Sequence, residues 1–152
     1  MPEERIRPPK WLKPMNKVLM VLLRLGVPIS RAEAPVVLTV PGRKSGKPRS
    51  TPITPMRIDG KRYVVNGYPG ADWVSNVRAA DHATLTQGGS SERIRMAELP
   101  PDAARAVLRE FPAQVPTGVD LMKRAGVLTE GTPDELEGLA GRLPVFRIDP
   151  IT

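Results

Sequence analysis

Residues 35–54 read PVVLTVPGRKSGKPRSTPIT, and the fold depends on how this stretch divides. Pro35–Val40 is short, mostly apolar and rich in β-branched side chains, which is the composition of a buried strand. Pro41–Arg49 then packs two glycines among four cations, Arg43, Lys44, Lys47 and Arg49, and is expected to form a tight basic turn. A second, alternating strand is expected from Ser50 to Ile58. A turn this cationic, held between two strands, is a place to hold a dianion, a phosphate above all. On residue types alone, a solvated hairpin turn fits equally well.

Downstream, Asp59-Gly60 is a strong two-residue hairpin signal leading into RYVVN, Arg62–Asn66. Gly67-Tyr68-Pro69-Gly70 is a loop, after which Asp72 is placed to cap a short helix through Ala80, with Trp73, Val77 and Ala80 on one side. Ala83–Thr86 and Glu92–Leu99 form another hairpin through Gly88-Gly89. Pro101 opens a helix to Glu110, with Ala104, Val107, Leu108 and Phe111 inward. Pro112–Gly141 is broken by Pro116, Gly118, Gly126, Gly131 and Pro133 and is expected to wrap the body as short helices before a closing strand, Leu143–Ile148. Upstream, Trp11, Met15, Val18, Leu19, Leu22 and Leu25 recur at helical spacing opposite Lys10, Lys13, Lys17 and Arg24, and Gly26 and Pro28 end that amphipathic helix. The expected class is α+β: a small antiparallel barrel of about six strands with an N-terminal helix and peripheral helices. One domain, 1–152, is expected, comprising a helical segment 1–34, a barrel core 35–111, and a helical wrap with closing strand at 112–152.

Composition narrows the function. The 152 residues carry 23 Lys and Arg against 16 acids, a net charge of +7, which favours anionic partners. With no cysteine and a single histidine, thiol chemistry and a Cys- or His-based metal centre are excluded, so any redox role needs an organic cofactor. His82, just past a helix C-terminus, is assigned no catalytic part. Gly46-Lys47 is not a nucleotide-triphosphate loop, because prolines occupy positions 41 and 48 where that motif needs Gly and Ser or Thr. Aromatics are only 4% and are not interleaved with the basic turn, so no nucleic-acid partner is expected. Glu3, Glu4, Arg24 and Pro35 argue against a secretory leader. The expected location is the cytoplasm, with peripheral membrane contact through the first helix as an alternative.

The order of these pieces is more specific than any one of them. VLTVPGRKSGKPRSTPIT, then DGKRYVVNG, then ADWVSNVRAA, then a hairpin through Gly88-Gly89 resembles the deazaflavin-dependent nitroreductase family. These are split β-barrel oxidoreductases related to flavin-binding pyridoxamine-phosphate-oxidase-like barrels. The resemblance runs from Val36 to Phe111 and rests on a G-R-K-S-G-x-x-R turn followed by T-P, with a downstream W-x-x-N. It implies the 8-hydroxy-5-deazaflavin coenzyme F420, whose phosphate and polyglutamate tail are anionic. Lys44 and Arg49 would then hold the phosphate with Arg43 nearby, while Ser50, Thr51 and Pro52 run along the linker and ring edge. Asn66, Gly67, Tyr68 and Pro69 would present backbone to the ring, and Asp72, Trp73, Val74, Ser75 and Asn76 would close its far side. Loop 68–71 is shorter than in many relatives, and Pro69 stands where a lysine is expected, so Lys47 or an N-terminal lysine would compensate.

The implied reaction is hydride transfer from the reduced deazaflavin to an electron-poor small molecule, an activated alkene or nitro compound, with a proton from Tyr68, Tyr63 or solvent. The rivals are an FMN-dependent oxidoreductase on the same barrel and a non-catalytic cofactor- or lipid-binding barrel. A monomer or a homodimer fits.

Overall fold

The computed structural model describes residues 36–67 and 71–151. The expected helix over 11–25, and Tyr68, Pro69 and Gly70 of the loop, lie outside these residues. Seven strands form one antiparallel sheet: β1 (Val36–Pro41), β2 (Pro48–Ile53), β3 (Met56–Ile58), β4 (Lys61–Val65), β5 (Ala83–Gln87), β6 (Ser90–Glu98) and β7 (Val145–Pro150). Among the described residues four helices accompany them: α1 (Asp72–Ala79), α2 (Pro101–Gln114), α3 (Pro116–Arg124) and α4 (Pro133–Glu137).

The strand order is β2-β1-β5-β6-β7-β4-β3, so β2 and β3 occupy opposite edges. Only Thr54 and Pro55 separate these two strands in the chain. Three Cα–Cα steps span at most about 11 Å, far less than the width of a flat seven-stranded sheet. The sheet must therefore curl until its edges meet, and a split barrel results. The expected single strand over Ser50–Ile58 is corrected to two strands at this point. Pro48 and Pro52 cannot donate to a ladder on both sides, which suits β2 as an edge strand paired only with β1.

β7, last in chain order, pairs with β6 on one side and β4 on the other. It is the strand that joins β2-β1-β5-β6 to β4-β3. The Asp59-Gly60 turn forms as expected, with positive φ at both residues (51° and 78°), and Gly88 (φ 60°) turns β5 into β6.

Alternation along the strands builds two hydrophobic cores. Val36, Leu38 and Val40 of β1, Ile53, Val64, Leu85, Ile94, Phe146 and Ile148 fill the barrel, joined by Val74 and Val77 from α1. Helices α2, α3 and α4 pack a second cluster against Met56, Val65 and Val145 on the other side of β3, β4 and β7. Ala104, Val107, Leu108 and Phe111 are buried there as expected.

Helix α2 runs past Glu110 to Gln114 and carries Pro112 in its last turn. The residue flanking α1 at its start is Ala71, so Asp72 is the first helical residue and makes no side-chain cap, although its carboxylate still complements the helix dipole. At α4, Thr132 Oγ1 accepts from the Glu135 amide. The Glu135 carboxylate in turn accepts from the amides of Thr129, Glu130 and Gly131, and these backbone bonds hold its pKa below the usual value.

Candidate functional site: the basic turn and helix α1

The turn between β1 and β2 closes on itself. The Gly42 amide donates to Lys47 O (2.9 Å), the Gly46 amide to Gly42 O (2.8 Å), and the Lys47 amide to Ser45 Oγ (3.2 Å). Those three amides are consumed inside the turn. Gly46 sits at φ 71°, and a Cβ on Gly42 would lie 3.2–3.4 Å from Ser45 Oγ, Lys47 O and Arg49 Cγ. Both positions favour glycine, Gly46 for its handedness and Gly42 for close packing.

The cations divide into two kinds. Arg43 is tied to α1: its backbone N–H (3.1 Å) and Nη1 (2.9 Å) both donate to Asn76 Oδ1, and Nη2 lies 3.5 Å from the Asp72 carboxylate. Lys44, Lys47 and Arg49 are exposed, and among the described residues none of them lies within 4.0 Å of a carboxylate.

Register separates the residues that follow the turn. Arg49 and Thr51 pair with Val40 and Leu38 and so share the barrel-facing side of the sheet, whereas Ser50 and Pro52 pair with Thr39 and Val37 on the opposite side. Ser50 Oγ is 2.8 Å from Thr39 Oγ1 there.

On α1, Trp73 is half-buried, with its ring centroid 5.7 Å from that of Phe146. Val74 is 1% exposed and packs in the barrel core, Ser75 is half-buried, and Asn76 is 5% exposed. Asn66 is buried at the end of β4, its amide donating to Pro144 O (2.9 Å). Gly67 faces Met122 of α3 so closely that a Cβ would sit 2.9 Å from Met122 Cγ. Sequence reasoning did not single out Met122, because an apolar residue inside a short helix carries no signal beyond core.

Tyr63 packs with the α2–α4 cluster, while Trp73 packs with the barrel cluster. His82 Nδ1 lies 2.7 Å from Asp81 Oδ1, and this hydrogen bond holds the Asp81 carboxyl below its ordinary pKa. No cluster of metal-ligating side chains occurs among the described residues. No helix among them is long and apolar enough to cross a membrane.

The described residues form a split-barrel fold with a cationic hairpin between β1 and β2, tied to α1. A family model for F420H(2)-dependent quinone reductase matches residues 20–125, and the chain belongs to that family. It is an F420-dependent reductase, and coenzyme F420 is its cofactor.

Solved structures share the fold. An F420-H2 dependent reductase, FDR-A, is 20% identical and aligns over 80% of this chain and 97% of its own with a TM-score of 0.53. A structure described as a domain-swapped dimer is 21% identical over 94% of this chain and 100% of its own, TM-score 0.55. A Listeria innocua structure described as a candidate pyridoxamine 5'-phosphate oxidase is 14% identical over 90% and 92%, TM-score 0.51. No curated protein matches the chain.

The donor set fits the phosphate end of this cofactor. Lys44, Lys47 and Arg49 are free of carboxylate partners among the described residues, and guanidinium and ammonium groups are the side chains that hold phosphate.

Proposed function

We propose that Lys44, Lys47 and Arg49 bind the phosphate of F420, with Thr51 and the β2 edge beside the linker. In this reading Asn66, Gly67, Tyr68 and Pro69 offer backbone to the ring, and Asp72, Trp73 and Ser75 border its far side. The observation that carries it is the grouping of three cations, without carboxylate partners among the described residues, on a turn fixed against α1. The reduced cofactor supplies a hydride. This chain's residues anchor the anionic end, orient the ring against the barrel mouth and exclude water from the reacting face.

The acceptor is an electron-poor small molecule that takes up one hydride and one proton: a quinone, as the family name indicates, or an activated alkene or nitro compound. Tyr63 packs with the α2–α4 cluster, so in this reading the proton comes from Tyr68 or from solvent. A homodimer accords with the domain-swapped neighbour.

Titration with F420, FMN and a fatty acid tests the binding half. Tight binding to F420 alone, weakened by salt and by Lys44→Ala or Arg49→Ala, is expected. Preference for FMN or lipid, or indifference to both substitutions, overturns it. Turnover with menadione, a cyclohexenone and a nitroimidazole then ranks the acceptors.

A further inference from the structure

Asn76 and Arg43 are 33 residues apart and sit in separate sequence motifs, the W-x-x-N of α1 and the G-R-K of the basic turn. In the fold they meet. One buried amide oxygen receives both the main-chain and the side-chain donors of Arg43. We infer that Asn76 is a positioning residue and Arg43 a strut, which together hold the turn so that Lys44, Lys47 and Arg49 face one anion. This assignment rests on the anion-binding reading above and adds to it a role for Arg43, which the family resemblance put near the phosphate.

Three physical facts support the assignment. First, the Arg43 guanidinium already has a buried neutral acceptor at 2.9 Å and the Asp72 carboxylate at 3.5 Å. Redirecting it to a phosphate would break the bond to that buried oxygen and leave it only the main-chain donor. Second, the paired main-chain bond at 3.1 Å fixes the turn's backbone as well as the side chain, so the latch acts on the conformation of every residue in the turn. Third, the Asn amide does not ionise, so the latch holds across the working pH range and adds no charge against the phosphate.

Two readouts separate a strut from a ligand. A cation that touches the phosphate contributes to the salt dependence of binding, and a strut does not. The latch also exists without cofactor, so it governs tryptic cleavage after Lys44 in the apoprotein. Asn76→Ala is expected to speed that cleavage and to raise the F420 Kd about tenfold while leaving the steepness of the salt dependence unchanged. Arg43→Ala keeps its main-chain bond to Asn76, so it should raise Kd less than Asn76→Ala does while leaving the salt dependence unchanged, and the double variant should bind no worse than Asn76→Ala alone. Asn76→Asp, whose carboxylate oxygen can accept the same two bonds, should restore the slow cleavage. Lys44→Ala should flatten the salt dependence.

The inference is overturned if Arg43→Ala flattens the salt dependence as Lys44→Ala does while Asn76→Ala leaves cleavage and affinity at the parent values. Should Asn76→Ala not fold, Arg43→Ala and Asn76→Asp still decide between strut and ligand. If Lys44→Ala and Arg49→Ala leave F420 binding untouched, the anion-site reading fails by itself, and apoprotein proteolysis still judges the latch.

Discussion

Gly67, where β4 gives way to the candidate cofactor loop, packs closely against the helical wrap. An added Cβ would lie 2.9 Å from Met122 Cγ and 3.0 Å from Sδ, and Met122 is only 2% exposed, with little room to retreat. Gly67 does not have a left-handed backbone, so Gly67→Ala acts through crowding alone. Overpacking a filled core costs about 1–3 kcal/mol, and for a chain of this size that corresponds to a melting temperature lower by about 2–12 °C. Met122→Ala by itself should cost about 2–5 kcal/mol through the cavity it leaves.

The two changes are complementary in shape. In the Met122→Ala background the methyl group introduced by Gly67→Ala enters the vacated space, so adding it should cost less than about 0.5 kcal/mol. Thermal and urea unfolding of the parent, both single variants and the double variant close the cycle. An equal penalty for Gly67→Ala in both backgrounds would refute the claim that Met122 is what excludes a side chain at position 67. Cofactor titration of the same set shows whether loop position limits binding.

Other expectations follow from the same geometry. Trp11→Phe leaves Trp73 as the only tryptophan, and its emission should be quenched as F420 binds; no change would place the ring away from α1. Glu135 has a depressed pKa set chiefly by backbone amides, so its contribution is complete above the ordinary Glu value and is lost as pH falls through the lower folded value. Glu135→Gln should therefore flatten the acid limb of a stability–pH curve, and an unchanged limb would show that those bonds add no pH dependence. Gly60→Val, at φ 78° in the β3–β4 turn, should cost about 1–2 kcal/mol by urea unfolding, whereas Asp59→Gly should be tolerated.

Much of the barrel was legible because its signals are local. Asp59-Gly60 and Gly88-Gly89 dictate hairpins, and the apolar alternation Val36, Leu38, Val40 marks the inward face of a strand. The division at Thr54-Pro55 was less legible. Apolar residues continue across it, but Ile53 and the pair Met56 and Ile58 are out of phase and enter different clusters, a shift that a reading of one alternating run passed over. At the site, the cationic turn stood out by composition, but its split into free cations and one committed arginine depends on Asn76, a contact that no local pattern encodes. The same is true of Tyr63: alternation gives two faces to β4 and does not say which one the helices cover.

The position of β7 also bears on how the molecule is made. Strands β6 and β4 each keep an unpaired edge until residues 145–150 have been synthesised, so a nascent chain carries two sticky half-sheets while residues 99–144 are being added. Deleting that hexapeptide would therefore not trim the protein but open it, leaving fragments prone to aggregate rather than a smaller enzyme.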